Sequence, residues 1–378
     1  MKILLVTNIV SHHQLPLAIE LSKIVGEHNF LFAAMSRPDK ERLKNGWLNQ
    51  YNYSWIVHPN ESASDSEIYE NFWDDADVVV CGERFIDRMQ NRVNKGKLCF
   101  YMSERWWKPP VSMLRLLHPR YARMCLSFKE LARSDHFHYL ANGPFAAKDL
   151  KTIAKMNDRV WLWGYFTEVP KHIDLKNKAP KIVNILWIGR MLKCKRVDLL
   201  IRVLAKIESK GIAFKLTLVG DGPQRTNLER LAKKYLHSSS YEFINFIPSS
   251  EVLNFMSKFD IYVLPSNAYE GWGAVVNEAM SVGCAVIASD KTGAGATLIK
   301  SGTNGLLFKS GDKKSLYKCL NNLLTHKEAI LQLGQAGYNT MQIQWSPKVA
   351  AERLVQLSNS LLHNIAHPIY ENGPLSKP

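Results

Sequence analysis

The chain has 378 residues, too many for one ordinary hydrophobic core, so we expect two domains. Its composition, 46% hydrophobic and 22% charged, excludes a disordered chain, a collagen-like chain and a heptad rod. The formal net charge of +15 indicates an anionic partner, which can be nucleic acid, a phosphorylated small molecule or an acidic membrane surface.

Short apolar runs bounded by turn residues alternate along the chain with stretches of helical period, which is typical of a parallel sheet covered by helices. The runs that predict strands lie at 3–6, 30–34, 78–81, 98–101 and 137–141 in the first half, and at 182–188, 214–219, 243–247, 261–264 and 285–288 in the second. Because the series starts twice, we expect two doubly wound, Rossmann-like α/β domains that face each other across a cleft.

Composition also predicts the domain limits. The first domain takes residues 1–166 and the second takes residues 181–345, separated by a polar, proline-bearing linker at 167–180. Within residues 346–378 we expect a helix that crosses back to the first domain, followed by a polar tail that frays.

The expected location of the protein follows from what its sequence lacks. The apolar run near the N-terminus is too short for a signal peptide, and no stretch approaches the ~18 apolar residues of a membrane-spanning helix. The six cysteines lie far apart without a C-x-x-C pair, which favours a reducing compartment. We therefore expect a cytoplasmic protein, unless it is bound peripherally to a membrane.

The first two loops of the second half carry basic and glycine residues. Arg190 and Lys195 stand just before a predicted helix, so that a guanidinium, an ammonium and a helix N-terminus can meet at one diphosphate. A solvated basic loop is the other interpretation. Gly220 and Gly222 suit a nucleoside that approaches the backbone, or an ordinary turn between a strand and a helix.

The loop after the fourth predicted strand of the second half carries two carboxylates and a glycine pair. Gly271 and Gly273 free backbone N–H groups at a helix N-terminus, where Glu270 can accept hydrogen bonds from sugar hydroxyls. Glu278, eight residues after Glu270, lies about one turn inside the helix and can hold a ribose by its vicinal hydroxyls. A capped helix with an acidic first turn is the alternative, but it leaves the glycine pair and Trp272 unexplained.

Taken in order, these motifs resemble the retaining, nucleotide-sugar-dependent glycosyltransferases that have the GT-B fold and an E-x7-E motif, in particular those of bacterial surface polysaccharides. The resemblance extends over about residues 182–310. The chain departs from the family's pattern at Asn245, Trp272 and Thr297, where glycine, phenylalanine and glutamate are commoner. These departures affect the identity of the base and of the donor sugar.

The resemblance implies a nucleotide diphosphate sugar as donor, with UDP as the nucleotide, and no cofactor. Arg190 and Lys195 would bind the diphosphate, Glu278 the ribose, and Glu270 the donor sugar. The other implied donor-binding residues lie in the neighbouring loops: Gly220, Gly222, Ile247 and the amides of Gly271, Trp272 and Gly273. No metal ion is expected, because basic side chains and helix N-termini can stabilise the leaving-group charge.

The first half carries fewer signals. His12 and His13 follow the first strand, where a histidine can donate to phosphate or take the acceptor's proton, although either one taken singly can be an ordinary loop residue. Glu104 follows the fourth strand, and its carboxylate can orient or deprotonate an acceptor hydroxyl, or pair with Arg105. The predicted catalytic residues are Glu270, Glu104, His12 and His13.

Between Glu104 and Phe128 five basic residues are interleaved with aromatic and aliphatic ones, against one acidic residue. This mixture suits an anionic membrane interface, a nucleic acid strand, or a core helix with snorkelling arginines. The resemblance favours the membrane over nucleic acid, with Trp106 and Trp107 buried in the interface.

The sequence therefore predicts a glycosyltransferase that moves a sugar from a nucleotide diphosphate donor to a glycan or lipid-linked saccharide, with retention of configuration. It would work at the inner face of the plasma membrane and bind no nucleic acid. Two alternatives remain open. One is another sugar-nucleotide enzyme of the same fold, such as an epimerase, and the other is a non-catalytic protein that binds polyanions.

Overall fold

A computed structural model gives the fold, and it describes residues 1–39, 43, 51–82, 85–108, 112–175 and 182–378. The contacts between its Cα atoms divide the chain into two compact units. Unit 1 consists of residues 1–167 and 344–378, and unit 2 consists of residues 168–343.

Unit 1 is built on a seven-stranded parallel sheet. Its strands are β1 (Ile3–Thr7), β2 (Phe30–Ala34), β3 (Ile56–Val57), β4 (Val78–Cys81), β5 (Leu98–Ser103), β6 (Phe137–Asn142) and β7 (Val160–Trp163). They are hydrogen-bonded in the order β3-β2-β1-β4-β5-β6-β7. Every residue of β1, β2, β4 and β6 is buried, as expected for a parallel sheet that is covered on both faces.

The first five described helices belong to unit 1: α1 (Leu15–Val25), α2 (Ala63–Asp75), α3 (Ile86–Asn94), α4 (Pro119–Leu131) and α5 (Pro144–Leu150). Local chemistry sets their ends. The helix α1 has a proline in its first turn, where a backbone N–H has no partner in any case, and it stops at Gly26 with φ of 85°. The side chain of Ser62 caps α2 by accepting a hydrogen bond from the Asp65 N–H at 3.0 Å.

Unit 2 contains a six-stranded parallel sheet with the order β10-β9-β8-β11-β12-β13. Its strands are β8 (Val183–Ile188), β9 (Phe214–Val219), β10 (Tyr241–Ile244), β11 (Ile261–Leu264), β12 (Ala285–Ser289) and β13 (Leu306–Phe308). Its helices are α6 (Val197–Glu208), α7 (Arg225–Tyr235), α8 (Val252–Met256), α9 (Val275–Ser281), α10 (Gly293–Leu298), α11 (Lys313–Thr325) and α12 (Glu328–Ile343).

Each sheet reverses its direction of winding once. In unit 1 the chain runs outward from β1 through β2 to β3, and then continues with β4 on the other side of β1. Unit 2 repeats this order with β8, β9 and β10, followed by β11 beside β8. In such sheets ligands bind beyond the carboxyl ends of the strands, at the point of reversal. A ligand site is therefore expected at the loops after β1 and β4 in unit 1, and at those after β8 and β11 in unit 2.

The chain ends in unit 1. Its last helix, α13 (Pro347–Leu362), packs against α1. We expected the tail after this helix to fray, and that prediction is wrong. Leu375 is buried, its N–H donates to the Leu162 carbonyl at 2.8 Å, and the Leu162 N–H donates to the Ser376 carbonyl at 2.8 Å. The tail therefore continues the hydrogen bonding at the outer edge of β7, which satisfies backbone groups that an edge strand leaves open.

The stretch 167–180, which we expected to be a linker, is described up to residue 175 and belongs to unit 2 from residue 168. Its side chains Ile173 and Leu175 press on Gly283, where an added Cβ would lie 2.7 and 2.6 Å from their methyl carbons. The Tyr338 hydroxyl also donates to the Pro170 and Lys171 carbonyls at 2.8 Å, so both apolar contacts and hydrogen bonds anchor this stretch to unit 2. The remaining positions of the predicted linker lie outside the described residues.

The fold class predicted from the sequence, two Rossmann-like α/β domains with parallel sheets, is confirmed. Among the helices that the structure describes, none is both long and apolar enough to cross a membrane.

Candidate active site

An ion pair joins the loops that follow β8 and β11 in unit 2. The Lys195 ammonium donates to the Glu270 carboxylate, although the two residues are 75 positions apart in the chain. Their side chains are only 19% and 13% exposed, so water screens the pair poorly. Both residues were predicted to bind the donor, and the structure brings them together at the point where the sheet reverses.

Backbone hydrogen bonds hold these two loops in place. The Asn267 N–H, in the loop after β11, donates to the Cys194 carbonyl in the loop after β8 at 2.9 Å. The Asn267 side chain then accepts from the Tyr269 N–H at 2.9 Å, and its carbonyl accepts from the Glu270 N–H at 3.0 Å. The Glu270 backbone is therefore held by its own loop, and its carboxylate by Lys195.

Glu278 lies in the first turn of α9, close to the position that the sequence predicted for the second carboxylate, and its side chain is buried. Both carboxylates lie near the hydroxyl of Tyr262 on β11. The pKa of Tyr262 is raised well above its ordinary value, first by burial and then by the negative charges of Glu270 and Glu278. In the described part of the chain this hydroxyl has no hydrogen-bond partner. Sequence reasoning missed Tyr262, because it is one apolar-looking member of a buried strand.

The side chain of Trp272 is a core residue. It is 1% exposed, and its indole N–H donates to the Asn277 side-chain oxygen at 2.8 Å. Gly293 packs directly on it: the Gly293 N–H donates to the Gly271 carbonyl at 3.0 Å, and a Cβ added there would lie 3.1 Å from the Trp272 Cα. This packing positions the backbone from Gly271 to Gly273, and contact of those amides with the donor stays a prediction.

Gly220 and Gly222 have a structural explanation of their own. Both have positive φ, 123° and 144°. A Cβ added to Gly220 would lie 2.0 Å from the Gly189 carbonyl oxygen, and one added to Gly222 would lie 2.9 Å from the Met191 nitrogen. Glycine is therefore required for the loops after β8 and β9 to touch each other. The approach of a nucleoside to this turn stays a prediction.

Ile247 does not lie in a strand. The run 243–247 was predicted as a strand, but β10 begins at Tyr241 and ends at Ile244. The strand stops because Asn245 and Phe246 are exposed to solvent and Pro248 has no N–H to donate. Ile247 is half-buried in the following loop.

A cavity of about 730 Å³ opens beside the loops after β8 and β11. Its basic lining residues are Lys193 and Arg196, the second of which is hydrogen-bonded to Asp198 at 3.1 Å. Among the described residues, Arg190 and Lys195 do not line this cavity, and Arg190 is exposed on the same loop. The loop therefore presents four cationic side chains, two of which, Arg190 and Lys195, were predicted to bind the donor.

In unit 1, His12 and His13 follow β1, as the sequence predicted. Their rings touch, with centroids 3.8 Å apart, and both side chains are half-buried. The His13 carbonyl accepts a hydrogen bond from the Phe166 N–H at 3.1 Å, which ties this loop to the segment after β7. The two histidines are thus part of an ordered loop at the point where the unit 1 sheet reverses.

Glu104 follows β5 and is held by two hydrogen bonds. One carboxylate oxygen accepts from the Tyr165 hydroxyl at 3.2 Å, and the other accepts from the Lys108 ammonium at 3.0 Å. The alternative that Glu104 pairs with Arg105 is wrong. The Arg105 Nε lies 3.6 Å from a carboxylate oxygen of Asp149 instead, because Arg105 points towards α5.

Glu104 lines a second cavity, of about 530 Å³, which lies within unit 1. It is formed beyond the carboxyl ends of β1, β4, β5 and β6, with Asn8, Gly82 and Asn142 among its lining residues. Asn142 is buried, and in the part of the chain that the structure describes its side-chain oxygen accepts no hydrogen bond. A buried acceptor of this kind is suited to a ligand hydroxyl. Asn142 and Tyr165 carry no motif and were missed by sequence reasoning.

The prediction that Trp106 and Trp107 enter a membrane interface is wrong. Their side chains are buried, and each indole N–H donates inside the fold, to the Ser103 hydroxyl at 2.9 Å and the Thr152 hydroxyl at 2.8 Å. Trp106 also packs edge-on against Phe128 of α4, with ring centroids 5.0 Å apart. The two tryptophans are core residues of unit 1; residues 109–111 of the same segment lie outside the described residues.

A known protein family matches the part of the sequence that forms unit 2. Residues 170–340 match the family described as glycosyl transferases group 1. The match takes in nearly all of unit 2.

Similar proteins extend the comparison. The chain is 28% identical over 273 residues to the sulfoquinovosyl transferase SQD2 of Arabidopsis thaliana, a match that covers 71% of this chain and 51% of SQD2. It is 26% identical over 199 residues to CapM of Staphylococcus aureus, a capsular polysaccharide biosynthesis glycosyltransferase, with 50% of each chain covered. The chain thus spans about half the length of these relatives.

Among solved structures, the chain is similar to HepE of Anabaena in complex with UDP-glucose, with a TM-score of 0.69. The two share 14% identity, and the match covers 95% of this chain and all of HepE (100%). At 14% identity this similarity is evidence for the fold alone. The GT-B fold that the sequence resemblance implied is confirmed.

Proposed function

We propose that this protein is a glycosyltransferase that moves a sugar from a nucleotide diphosphate donor, with UDP as the nucleotide, to a glycan or lipid-linked saccharide, with retention of configuration. The observation that carries the proposal is the Lys195–Glu270 ion pair at the reversal point of a group 1 glycosyl transferase domain. Two comparisons support it: HepE was solved with UDP-glucose, and CapM is named for capsular polysaccharide biosynthesis.

The donor diphosphate lies against the loop after β8. Arg190 and Lys195 supply the positive charge that stabilises the nucleoside diphosphate as it leaves the sugar. Lys195 has three N–H donors, so it can hold Glu270 and a phosphate oxygen at the same time. The ion pair therefore places the ammonium before the donor arrives, and little of the binding free energy is spent on ordering that side chain.

The two carboxylates of the E-x7-E motif bind different parts of the donor. Glu270 accepts hydrogen bonds from hydroxyls of the sugar, next to the ammonium that holds the phosphate. Glu278 is buried at the start of α9 and accepts from the ribose hydroxyls. Burial strengthens such hydrogen bonds, because water competes less for the carboxylate.

The acceptor occupies the unit 1 cavity. Glu104 is already held by Tyr165 and Lys108, and each of its oxygens retains a further lone pair that can accept from an acceptor hydroxyl. A carboxylate in this position orients the attacking hydroxyl and takes its proton. His12 and His13 lie on the loop after β1 and are the other candidates for this proton transfer.

The protein works on the inner face of the plasma membrane through a surface of unit 1 that we call the leucine patch. It consists of four exposed side chains on the 3₁₀ helix Ser112–Leu117 and on α4: Met113, Leu114, Leu117 and Leu126, of which Leu117 is 83% exposed. Exposed basic residues lie on α4 and just after it, Arg123, Lys129 and Arg133, with Glu130 as the acidic residue of that helix. Apolar side chains inside a basic rim fit an anionic lipid surface.

Turnover with a panel of nucleotide sugars tests the enzymatic proposal. Purified protein is incubated with each nucleotide sugar and with membrane extract as the source of acceptor, and the release of free nucleoside diphosphate is measured. We expect release from a UDP-sugar, with the configuration of the new linkage read from the anomeric coupling constant. Release from none of the nucleotide sugars contradicts the proposal, and an epimerised nucleotide sugar without transfer indicates the epimerase instead.

A further inference from the structure

Guanidinium groups dominate the charge of the unit 1 cavity. Among its described lining residues are three arginines, Arg105, Arg115 and Arg120, against the single carboxylate of Glu104. Arg105 is paired with the Asp149 carboxylate and Glu104 with the Lys108 ammonium, so the described groups in and beside the cavity comprise four cations and two carboxylates. A neutral saccharide has no use for such an excess, since its hydroxyls are bound as well by uncharged amides and hydroxyls.

Arg105 is a fixed part of the wall. Its side chain is 15% exposed, and it lies between the Asp149 carboxylate and the ring of Phe145, whose centroid is 5.4 Å from the guanidinium carbon. Its Nε is buried and donates no hydrogen bond to the described residues. A guanidinium held this firmly loses little conformational entropy when it binds an anion.

Arg115 lies on the 3₁₀ helix Ser112–Leu117, and Arg120 lies on α4. The Arg115 guanidinium lies over the Tyr121 ring, 5.7 Å from its centroid, and donates to the Trp106 carbonyl at 3.5 Å. Arg120 lies in the first turn of α4 and is exposed. The three arginines therefore differ in exposure: Arg105 is the most buried, Arg115 is half-buried and Arg120 is exposed.

A different set of groups suits hydroxyls. The buried oxygen of Asn142 accepts no hydrogen bond within the described chain, and it lines the same cavity as Glu104 and Tyr165. Such an oxygen gains a partner when a ligand hydroxyl reaches it. The cavity thus combines acceptors for hydroxyls with a cluster of cations.

We infer that the acceptor of this enzyme is an acidic saccharide, one that carries a phosphate or carboxylate group. Asn142 and Glu104 take its hydroxyls, while the arginines bind its anionic group by the paired N–H geometry that suits both phosphate and carboxylate. The inference rests on the proposed function, because it names the class of substrate that the unit 1 cavity accepts.

Binding of small saccharides to the full chain, without donor, tests the inference. Glucose 1-phosphate, glucuronate and methyl glucoside serve as probes for phosphate, carboxylate and neutral sugar, with titration calorimetry as the measurement. We expect at least one of the acidic probes to bind about tenfold or more tightly than methyl glucoside, on the basis of one charge-assisted contact. Preference for glucose 1-phosphate identifies a phosphate and preference for glucuronate identifies a carboxylate, and either supports the inference.

Substitutions of the cavity residues test whether the saccharide probes bind in the unit 1 cavity. Arg115→Gln combined with Arg120→Gln should remove the preference for the acidic probe, whereas Arg123→Gln, an exposed arginine of α4 that does not line the cavity, should keep it. Asn142→Ala should weaken all three probes by a similar factor and leave their ratio unchanged. Melting temperatures confirm that each variant is folded.

Three results overturn the inference: equal affinity for acidic and neutral probes, binding of none of them, or the same loss in Arg123→Gln as in the double variant. The affinity of each variant for UDP is measured in parallel and should stay constant, because the donor-binding residues belong to unit 2. If the unmodified protein does not bind UDP, the result contradicts the proposed function instead.

Discussion

Lys195 and Glu270 hold each other across two loops that are far apart in the chain, and both side chains are largely buried. A buried charge that loses its partner is costly, so each residue determines the electrostatic environment of the other. Any change at one position therefore has two effects on the donor: the direct loss of a contact, and the release of an opposite charge beside the diphosphate.

The first prediction separates these two effects. Arg190→Ala and Lys195→Ala should each weaken the binding of UDP, because each removes a charged hydrogen bond worth roughly 1.5–3 kcal/mol. Lys195→Ala should be the more damaging, since it also leaves the Glu270 carboxylate uncompensated next to the phosphates. Calorimetric titration with UDP measures both losses, and Lys233→Ala, an exposed lysine of α7, is the control.

The double variant Lys195→Ala/Glu270→Gln should bind UDP more tightly than Lys195→Ala alone, because the repelling carboxylate has been neutralised. Unchanged UDP affinity in both Arg190→Ala and Lys195→Ala would rule out the assignment of the diphosphate to this loop. A double variant no better than Lys195→Ala would show that the ion pair does not govern the site.

A second prediction concerns the two carboxylates of the E-x7-E motif. Glu278→Gln should weaken UDP as well as the UDP-sugar, because the ribose is common to both. Glu270→Gln should leave UDP affinity nearly intact, since the glutamine oxygen can still accept from Lys195 while a negative charge near the phosphates is removed. It should lower turnover, because only the sugar loses a contact. Equal effects of the two changes on UDP affinity would mean that the roles are wrongly assigned.

The fold could be predicted from the sequence wherever strands are buried on both faces. The predicted limits of β2, β4 and β11 agree with the structure to the residue, because a run of apolar side chains ends where the strand ends. The edge strands were harder. β7 alternates buried and half-buried residues, and β3 has two residues, so neither shows a continuous apolar run.

The site was predictable to the extent that it lies in short motifs. The order of basic loop, glycine turn and E-x7-E predicted Lys195 and Glu270 in one site. Trp106 was misplaced because an aromatic residue among arginines has the same pattern in a core as at a membrane interface. The buried contacts that decide between these, with Ser103 and Phe128, depend on tertiary packing that no local pattern encodes.

A third prediction concerns stability against pH. His138 on β6 is buried, and its pKa is lowered from 6.5 to about 3, first by burial and then by the positive charge of Arg159. Its Nδ1 accepts a hydrogen bond from the Trp161 indole N–H at 3.1 Å, so the neutral ring is the one that fits the fold. Below pH 6.5 the unfolded chain therefore binds a proton at this position that the folded chain does not bind.

The folded state must lose stability as the pH falls through this window. By linkage, protonation of His138 in the unfolded chain should lower the free energy of unfolding by on the order of 1 kcal/mol between pH 7.5 and pH 5.5. The His138→Asn variant keeps an acceptor for Trp161 and does not titrate at this position. Between pH 7.5 and pH 5.5 its free energy of unfolding should therefore fall by about that much less than that of the unmodified protein. Urea denaturation at the two pH values measures the difference, and identical losses in both proteins would refute the role of His138.

The last prediction is that the leucine patch attaches the protein to anionic lipid. Leu114 and Leu117 are the most exposed leucines of its 3₁₀ helix, and burying even part of both in a bilayer interface contributes on the order of 2 kcal/mol. Each basic residue of the rim adds about 1 kcal/mol near an anionic surface, an attraction that salt weakens. Binding to vesicles should therefore have one part that depends on salt and one that does not.

Sedimentation with vesicles of phosphatidylglycerol and phosphatidylcholine measures both parts. Leu114→Ser with Leu117→Ser should lower binding about tenfold or more at every salt concentration, on the order-of-magnitude estimate for two leucines. Arg123→Gln with Lys129→Gln should lower it mainly at low salt. The control replaces Ile24 and Ile68, exposed isoleucines on α1 and α2, by serine and should bind as the unmodified protein does. Equal binding to vesicles of phosphatidylcholine alone, or the same loss in the isoleucine control, would show that the leucine patch does not bind anionic lipid.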